Sequence, residues 1–363
     1  MKSPVLLTRD AFREGVFARD DHRCVFCGKR AEDTPEGKLD AHHLMERRLF
    51  QAEHEFGGYF IPNGISVCEE HHRLCEQTVI SVEDGRVAAG ITQVVLPSHL
   101  YDGETYDKWA NIVMPNGSRV RGELFGDESV QKILAVGGVL DLFQKYWKHP
   151  RLHHLPWSPG MQSDDRRFND IKDFHGKEVI VTTKVDGEQS TIYNDHYHAR
   201  SIDTDRHESR NLLKAWAAQW QYQLDDGMRV CGENAFARHS ITYDDANPLP
   251  HHFLGFSVWQ DERCLSWDDT MAYFQILGIT PVPVIWRGVY DEDAIKALYD
   301  PAKDWETCEG YVVRLASDFT YGDFRKSVAK YVRPGHVQQA RHHWKAQTVI
   351  PNTFDINSGK ELV

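Results

Sequence analysis

A lysine, an aspartate and a glycine lie close together at the end of an apolar stretch near the middle of the chain. The stretch is Glu178–Val181, and the segment Lys184–Gly187 reads Lys-Val-Asp-Gly. We expect a buried strand to carry Lys184 to its end, where partial desolvation lets an amine lose its proton more easily and attack phosphorus. Asp186 and Gly187 would form a tight turn where the backbone approaches a ligand. Alone, such a tetrapeptide is more often a plain surface turn.

Five further motifs follow the lysine, and each offers a side chain suited to a nucleotide. They centre on Arg200, Glu233, Phe256, Glu309 and Lys330. The two cations can stabilise charge on phosphoryl oxygens, and the two glutamates suit ribose recognition and metal contact. The aromatic ring offers a flat face for adenine. Each residue alone could belong to a core or a turn, so it is the ordered set that indicates a nucleotide site.

These motifs, in this order, resemble those of the covalent nucleotidyltransferase superfamily. The wider segments Asn234–Ile241 and Lys330–Val337 are most similar to ATP-dependent nick-sealing RNA ligases of the Deinococcus type, and the resemblance covers Arg151 to Asn352. It implies that Lys184 attacks the α-phosphate of ATP, giving lysyl-AMP and pyrophosphate. AMP would then pass to a 5′-phosphate, and a 3′-hydroxyl would displace it.

The resemblance also implies one role for each motif. Arg200 would contact phosphate or the nucleic-acid end, and Glu233 would recognise the ribose. Phe256 would stack on adenine. Glu309 would lie near the metal and the reactive lysine, while Lys330 would hold the α-phosphate.

The fifth motif departs from the family pattern, which often reads Lys-x-Lys. Val328 occupies the position of the first lysine, and Lys326 is the alternative candidate for its role. A DNA ligase or a capping enzyme would share the lysine chemistry, but both usually place an OB-fold domain after this motif. About thirty residues follow Lys330, too few for such a barrel, and we expect them to form a helix over 337–348 and a tail. This length favours an RNA ligase.

A second group of chemically capable residues lies near the N-terminus. It consists of Cys24, Cys27, His42, His43, Asn63, Cys68, His71 and His72. The first two cysteines form a knuckle, and the third begins a Cys-x-x-His pair. Both spacings are typical of metal ligands.

This second group resembles the HNH endonuclease module, a ββα-metal unit in which a β-hairpin and a helix surround a metal. The resemblance implies a structural zinc ion on four ligands, with Cys75 as an alternative to the histidine: Cys24, Cys27, Cys68 and His71.

The same resemblance implies a catalytic site beside the zinc. His42 and His72 would hold a catalytic Mg²⁺ or Mn²⁺ ion. His43 would be the general base that activates water, and Asn63 would orient its ring. Many family members carry an aspartate before the base, so His42 is a variant at that place. The alternative is a module that keeps its histidines but only binds nucleic acid.

Composition is consistent with a nucleic-acid enzyme that has local binding sites. A chain of 363 residues, 41% hydrophobic and 11% aromatic, should contain two or three domains with sizeable cores. The formal charge of −12 argues against a non-specific nucleic-acid coat protein. It leaves room for an enzyme, because a binding groove needs only local positive charge. Seven cysteines are few for a disulfide scaffold, which favours a reducing cytoplasm, and we expect neither a signal peptide nor a membrane span.

The motifs suggest an α+β protein with three regions. Residues 1–76 would form the HNH-like zinc module, and 77–145 a connector or small accessory domain without an assigned function. Residues 146–363 would form the ligase nucleotidyltransferase domain, with antiparallel sheets around an ATP cleft. The expected partner is RNA, as a nicked duplex or as broken ends to be repaired or processed, with DNA as an alternative. The rival class, a nucleic-acid-binding adaptor without activity, conflicts with the intact lysine motif.

Local patterns predict several elements. Thr8–Ala18 should be a helix, and Asn116-Gly117 should turn a hairpin. We expect strands over Thr78–Leu96 with a turn at Asp84-Gly85. Glu208–Leu224 shows helical spacing of its large side chains, and Ser266 should cap a further helix.

Overall fold

The computed structural model describes residues 4–163, 165–168, 171–202, 207–300, 309–336 and 348–355. The chain divides into two compact units, Met1–Trp147 and Lys148–Val363. The helix expected over 337–348 lies outside the described residues except for its last position. Among the described residues, no helix has both the length and the apolar character needed to cross a membrane.

The first unit is built from short elements. They are α1 (Arg9–Arg19), β1 (Asp40–His43), β2 (Gly64–Val67), α2 (Glu69–Glu76), α3 (Val82–Ala88), β3 (Ile112–Val113), β4 (Arg119–Val120) and α4 (Glu128–Val136). Strands β1 and β2 pair antiparallel with His43 opposite Gly64. Strands β3 and β4 form the hairpin predicted from Asn116-Gly117.

Helix α1 confirms the prediction at the N-terminus. The Thr8 hydroxyl accepts a hydrogen bond from the Ala11 amide and caps the helix. Phe12 and Val16 lie one turn apart and are both buried. Gly64 of β2 lies directly beneath them, because a side chain there would meet the Phe12 ring at about 2.5 Å. The helix therefore packs onto the hairpin that carries the adjacent histidines.

The strands predicted over Thr78–Leu96 are wrong, because part of this segment is helix α3. The Ser81 hydroxyl accepts from the Asp84 amide, and the Asp84 carboxylate accepts from the Ser81 amide. This capping box supplies partners for donors that the first helical turn leaves unpaired. Gly85, which we expected in a turn, is buried inside the helix.

The segment 77–145 packs within the first unit. Trp109 Nε1 donates to the Glu76 carbonyl at 2.9 Å, and Lys108 Nζ donates to the His43 carbonyl at 3.0 Å. The Arg119 guanidinium donates to the Thr78 carbonyl at 2.9 Å. Residues that follow position 77 thus contact the backbone of both β1 and α2.

The second unit contains the larger sheets. Its helices are α5 (Asn211–Ala217), α6 (Trp267–Leu277), α7 (Glu292–Lys296) and α8 (Phe324–Ser327). Its strands are β5 (His153–His154), β6 (Glu178–Lys184), β7 (Glu188–Tyr193), β8 (Tyr197–Ala199), β9 (Met228–Asn234), β10 (Phe253–Gln260), β11 (Arg263–Cys264), β12 (Val284–Val289), β13 (Gly310–Leu315), β14 (Phe319–Thr320) and β15 (Val328–Val332).

These strands form two sheets. One has the order β14-β11-β10-β9-β7-β8, and the other β12-β6-β13-β15-β5. All neighbours pair antiparallel except β5 and β15. Val181 and Tyr311 of the second sheet share a core with Cys231 and Trp259 of the first. The predicted α+β class with antiparallel sheets is confirmed.

Two helix predictions in this unit have different outcomes. The Ser266 hydroxyl accepts from the Asp269 amide and caps α6, as predicted. The helix expected over Glu208–Leu224 is shorter: α-helix covers only Asn211–Ala217, with 3₁₀ turns on either side.

Candidate functional site

Strand pairing brings Lys184 and Glu309 together at one end of the second sheet. Lys184 is the last residue of β6 and lies opposite Gly310, the first residue of β13. Glu309 precedes that glycine, and its Oε2 lies 2.6 Å from Lys184 Nζ. Gly310 has φ 149°, and a Cβ there would lie 2.0 Å from the Tyr331 carbonyl oxygen. Only a glycine therefore allows β13 and β15 to approach this closely.

A cavity of about 860 Å³ opens beside this pair. It brings together all six residues of the predicted nucleotide site, apart from the alternative Lys326. The residues concerned are Lys184, Arg200, Glu233, Phe256, Glu309 and Lys330. They come from strands of both sheets and from the turn after β8. Lys326 lies on α8, half exposed and 4.0 Å from Asp323, and it does not line the cavity.

The charge state of Lys184 differs from our expectation. Burial acts to lower the pKa of its amine, as predicted, but the carboxyl groups of Glu309, Glu233 and Asp186 outweigh burial and raise the pKa. The sequence could not reveal this, because Glu309 and Glu233 come from distant segments. In the resting cleft Lys184 is therefore a protonated amine paired with Glu309.

Two neighbouring carboxyl groups have pKa values above those of ordinary exposed acids. Burial, together with Glu309, Asp186 and Glu188, raises the pKa of Glu233 to about 8, although Lys184 opposes the shift. Burial and Glu309 also raise the pKa of Asp186. Asp186 Oδ2 accepts from the amides of Ser240 and Ile241 at 2.7 Å each, which fixes the turn after Lys184.

Lys330 has a carboxylate partner within the chain. Its Nζ lies 3.1 Å from Asp165 Oδ1, and His154 Nε2 lies 3.0 Å from Asp165 Oδ2. Burial and the charge of Lys184 lower the pKa of Lys330, with Asp165 opposing. Burial opposes ionisation of Asp165, but His154 and Lys330 hold the pKa of that carboxyl below its usual range. Asp165 belongs to no motif, so the sequence alone does not indicate it.

Phe256 owes its position to an irregularity in β10. The pairing between β9 and β10 shifts register between Gly255 and Ser257, which leaves Phe256 as the extra residue of a bulge. A bulge of this kind re-aims one side chain out of the regular alternation. The Phe256 ring is half-buried and lines the cavity.

A second feature missed from the sequence is a three-donor cluster next to Lys184. His336 Nε2 lies 3.8 Å from Asp186 Oδ1 and 3.6 Å from Glu309 Oε1. All three side chains are buried, and their donor atoms lie within 4.8 Å of one another. His336 Nδ1 is buried without a hydrogen-bond partner in the described part of the chain. Two carboxylate oxygens and an imidazole fit Mg²⁺ or, better, Mn²⁺.

In the first unit, the four predicted zinc ligands converge. The Cys68 sulfur lies 3.1 Å from His71 Nδ1 and 3.9 Å from the Cys27 sulfur, and Cys24 lies 3.6 Å from His71 Nδ1. Tetrahedral zinc with Zn–S bonds of about 2.3 Å needs sulfurs about 3.8 Å apart, so the donor set and spacing fit. Cys75 is buried outside this cluster, and burial raises the pKa of its thiol to about 12.

His42 and His72 form a second cluster, and Glu76 joins them. Glu76 Oε1 lies 3.4 Å from His42 Nδ1 and 3.3 Å from His72 Nε2. Lys108 Nζ approaches the same oxygen at 3.0 Å. His42 Nδ1 is buried without a hydrogen-bond partner among the described residues, so its lone pair is available to a metal. Helical i,i+4 spacing from His72 was the signal that would have identified Glu76.

Asn63 was expected to orient the ring of His43, but its side chain hydrogen-bonds to other groups. Its amide nitrogen donates to the carbonyls of Met45 and Gly58, and its oxygen accepts from the Met45 amide. Asn63 therefore fixes the loop after β1. His43 is held by ring contacts, stacked 4.6 Å from Phe12. Burial and Lys108 lower the pKa of His43 to about 4, so its ring is neutral at pH 7.

One region of the chain matches a family model. Residues 177–332 match the family model described as RNA ligase. A comparison with curated proteins gave no match.

Solved structures with partial similarity include a candidate ATP-dependent DNA ligase of Aquifex aeolicus, an archaeal ATP-dependent RNA ligase, and an RNA ligase of Naegleria gruberi studied with ATP and Mn. The respective identities are 18%, 14% and 16%, each with a TM-score of 0.35. The similarity covers 52%, 52% and 61% of this chain, and 50%, 48% and 70% of those chains. This chain thus spans about half the length of the first two.

Proposed function

We propose that the second unit is an ATP-dependent RNA ligase that joins a 5′-phosphate to a 3′-hydroxyl through lysyl-AMP. The observation that carries this proposal is the convergence of six motif residues on one cavity, with Lys184 and Glu309 in contact. The match of residues 177–332 to the RNA ligase family supports it. RNA as a nicked duplex or as broken ends is the proposed substrate, in repair or processing.

In the proposed first step, Lys184 Nζ forms a bond to the α-phosphorus of ATP as the bond to the β-phosphate oxygen breaks and pyrophosphate leaves. The amine must first lose a proton, and Glu309 Oε2 at 2.6 Å is placed to receive it. Lys330 and Arg200 would neutralise charge on the phosphates. Asp186, Glu309 and His336 would hold a divalent ion that supplies further charge stabilisation.

The nucleotide itself would be bound by the remaining motif residues. Glu233, whose pKa is raised, can offer a carboxyl proton or accept one from a ribose hydroxyl. Phe256, which also lines the cavity, offers a stacking face.

Transfer of radiolabelled AMP from ATP to the protein tests this proposal. Wild type should become labelled, and Lys184→Ala should not, while both give the same circular dichroism spectrum. Lys214→Ala, an exposed lysine of α5, is the matched control and should label normally. Labelling that persists in Lys184→Ala would exclude this lysine as the nucleophile.

Nicked duplexes with RNA or DNA at each end would separate the two ligase readings. Sealing of an RNA 3′-hydroxyl at least about tenfold faster than a DNA 3′-hydroxyl corresponds to about 1.4 kcal/mol of discrimination and favours the RNA ligase. Equal or faster sealing of all-DNA nicks would favour a DNA ligase.

A second function is proposed for the first unit: metal-dependent cleavage of a phosphodiester. Its support is the cluster of His42, His72 and Glu76 within one ligand shell, with His43 next to it along β1. A neutral imidazole can accept the proton of an attacking water, and a divalent ion there would stabilise the leaving oxygen. The proposed zinc on the Cys24, Cys27, Cys68 and His71 set would hold α2 in place.

Cleavage assays with Mg²⁺ and Mn²⁺ test this second function. His43→Ala should abolish cleavage and leave sealing of a ready-made nick nearly unchanged, while His54→Ala, an exposed histidine, should do neither. The binding-only reading is favoured if wild type cuts no nucleic acid with any divalent ion and Cys24→Ser impairs sealing.

A further inference from the structure

His149 forms part of the aromatic end of the cavity in the second unit. It is 7% exposed and lines the same cavity as Phe256 and Lys184. Its ring lies edge-on to Phe256, with ring centroids 5.4 Å apart, and edge-on to Phe324 at 5.5 Å. The imidazole is thus held between two aromatic rings, beside the residue with the stacking face.

The hydrogen bond that His149 makes determines which of its ring nitrogens can accept a second hydrogen bond. Nδ1 lies 3.0 Å from the Pro150 carbonyl oxygen. A carbonyl oxygen can only accept, so Nδ1 carries the hydrogen and Nε2 keeps its lone pair in the neutral ring. Burial and the positive charge of Arg229 lower the pKa of His149 to about 3, which keeps the ring neutral at pH 7.

Other polar groups near Phe256 are already committed. The Arg314 side chain donates to the carbonyls of Leu315 and Leu265 at 3.0 Å each. The Ser257 hydroxyl accepts from Trp259 Nε1 at 3.0 Å. Arg314 and Ser257 line the same cavity as His149, and His149 adds an acceptor nitrogen to them.

We propose that His149 selects the purine base, with Nε2 accepting a hydrogen bond from the 6-amino group of adenine. The inference rests on the proposed use of ATP and adds the residue that would distinguish ATP from other purine nucleotides. Stacking on Phe256 does not discriminate, because every base has a flat face. Guanine carries an acceptor oxygen at position 6, and two acceptors facing each other leave a buried lone pair without a partner.

Binding of ATP and of purine riboside 5′-triphosphate, which lacks the 6-amino group, provides the test. Both are titrated by calorimetry against full-length Lys184→Ala protein, which prevents turnover during the measurement. ATP should bind about tenfold more tightly, the effect expected of one buried hydrogen bond. Equal affinities for the two nucleotides would overturn the proposal, and this result needs no substitution of His149.

Changing His149 in the same background completes a double-mutant cycle. His149→Phe keeps a ring but removes the acceptor, so the two nucleotides should bind within about twofold of each other. His149→Gln supplies an amide oxygen and should restore part of the preference. His251→Phe, a histidine that does not line the cavity, is the matched control and should keep the tenfold ratio.

The outcomes separate the inference from the proposed function. A tenfold ratio that survives in His149→Phe would assign the selection to another group and overturn the inference, while ATP-dependent labelling of wild type would be unaffected. Loss of affinity for both nucleotides by the same factor would indicate a space-filling role and overturn it as well. If wild type binds no ATP, the proposed function itself fails.

Discussion

The two units of this protein assemble their candidate sites in different ways. In the first, the four zinc-type donors lie within 48 positions of sequence, between Cys24 and His71. In the second, the residues on or next to strands are spread over nearly 150 positions: Lys184, Glu233, Glu309 and Lys330. The first site uses sulfur and imidazole nitrogen donors, whereas the second uses opposite charges that pair with one another.

This difference separates stability from chemistry. A metal cluster in a unit of short elements contributes folding energy directly, because the unfolded chain has no preformed site. The strands of the second unit are held by a large shared apolar core, which does not include the charged residues of the site. We therefore expect substitutions of the zinc ligands to unfold the first unit. Substitutions of the charged residues should abolish the activity proposed for the second unit.

The largest effect should follow from Cys24→Ser. Structural zinc in small modules contributes on the order of 10 kcal/mol or more to folding, so the variant should lose its metal and the first unit should unfold. Elemental analysis should find about one tightly bound zinc in wild type, in keeping with one four-donor site. Cys264→Ser, a buried cysteine outside any metal cluster of the described residues, controls for loss of a thiol. Zinc retained at the wild-type level in Cys24→Ser would contradict the assignment.

Lys330→Ala should lower the rate of AMP transfer by about 10- to 100-fold, because a charge-assisted contact to phosphate is worth about 1.5–3 kcal/mol. Folding should remain intact, which is the opposite of the zinc-ligand variant. Lys326→Ala is the matched control, and we expect nearly wild-type labelling because its side chain is half exposed and outside the cavity. Should Lys326→Ala prove the more damaging change, our alignment of the fifth motif would be wrong.

Gly310→Ala should be an exception in the second unit, because we expect it to reduce both stability and activity. A Cβ at 2.0 Å from the Tyr331 carbonyl must push β13 away from β15, and we expect a loss of about 3 kcal/mol, as for a backbone forced from an unusual conformation. Gly176→Ala has a similar left-handed strain with open space around it, so it should cost about 1 kcal/mol. Urea titration would measure the loss of unfolding free energy in each variant. Equal losses would rule out the clash at Gly310.

The smallest effect concerns a buried histidine away from both sites. Burial and His251 lower the pKa of His252 to about 3, against an ordinary 6.5. The unfolded chain therefore binds more protons between these values, and stability falls as the pH drops from about 6.5 towards 3. His252→Phe should reduce the loss of unfolding free energy between pH 7 and 5 by about 2 kcal/mol, because about 1.5 pH units lie below the ordinary pKa in this range and each is worth about 1.4 kcal/mol. An unchanged loss in urea titrations at the two pH values would refute this.

Structural features that depend on neighbouring residues could be predicted from the sequence. The cap and apolar face of α1, the Asn116-Gly117 hairpin and the strand that ends at Lys184 follow from neighbouring residues. The error over Thr78–Leu96 came from reading Asp84-Gly85 as a turn when Ser81 and Asp84 complete a capping box. That signal was present in the sequence.

Other features could not be predicted because they depend on distant segments. The raised pKa of Lys184 depends mainly on Glu309 and Glu233, which only strand pairing brings near. The bulge at Phe256 and the pairing of Lys330 with Asp165 also arise from tertiary structure. Asn63 was assigned its partner by resemblance, whereas the loop around Met45 and Gly58 determines its hydrogen bonds. The roles of the site residues remain predictions.

The pairing of Lys330 with Asp165 has a consequence for turnover. A phosphate that binds Lys330 must displace a carboxylate tethered to the same chain, so nucleotide entry is an exchange of counter-ions. A tethered competitor acts at a high effective concentration, and Asp165 can recapture the lysine as soon as the α-phosphate moves away from it. We therefore expect the cleft to bind the α-phosphate of a nucleotide less tightly than its cations alone would allow, and to release that phosphate more readily.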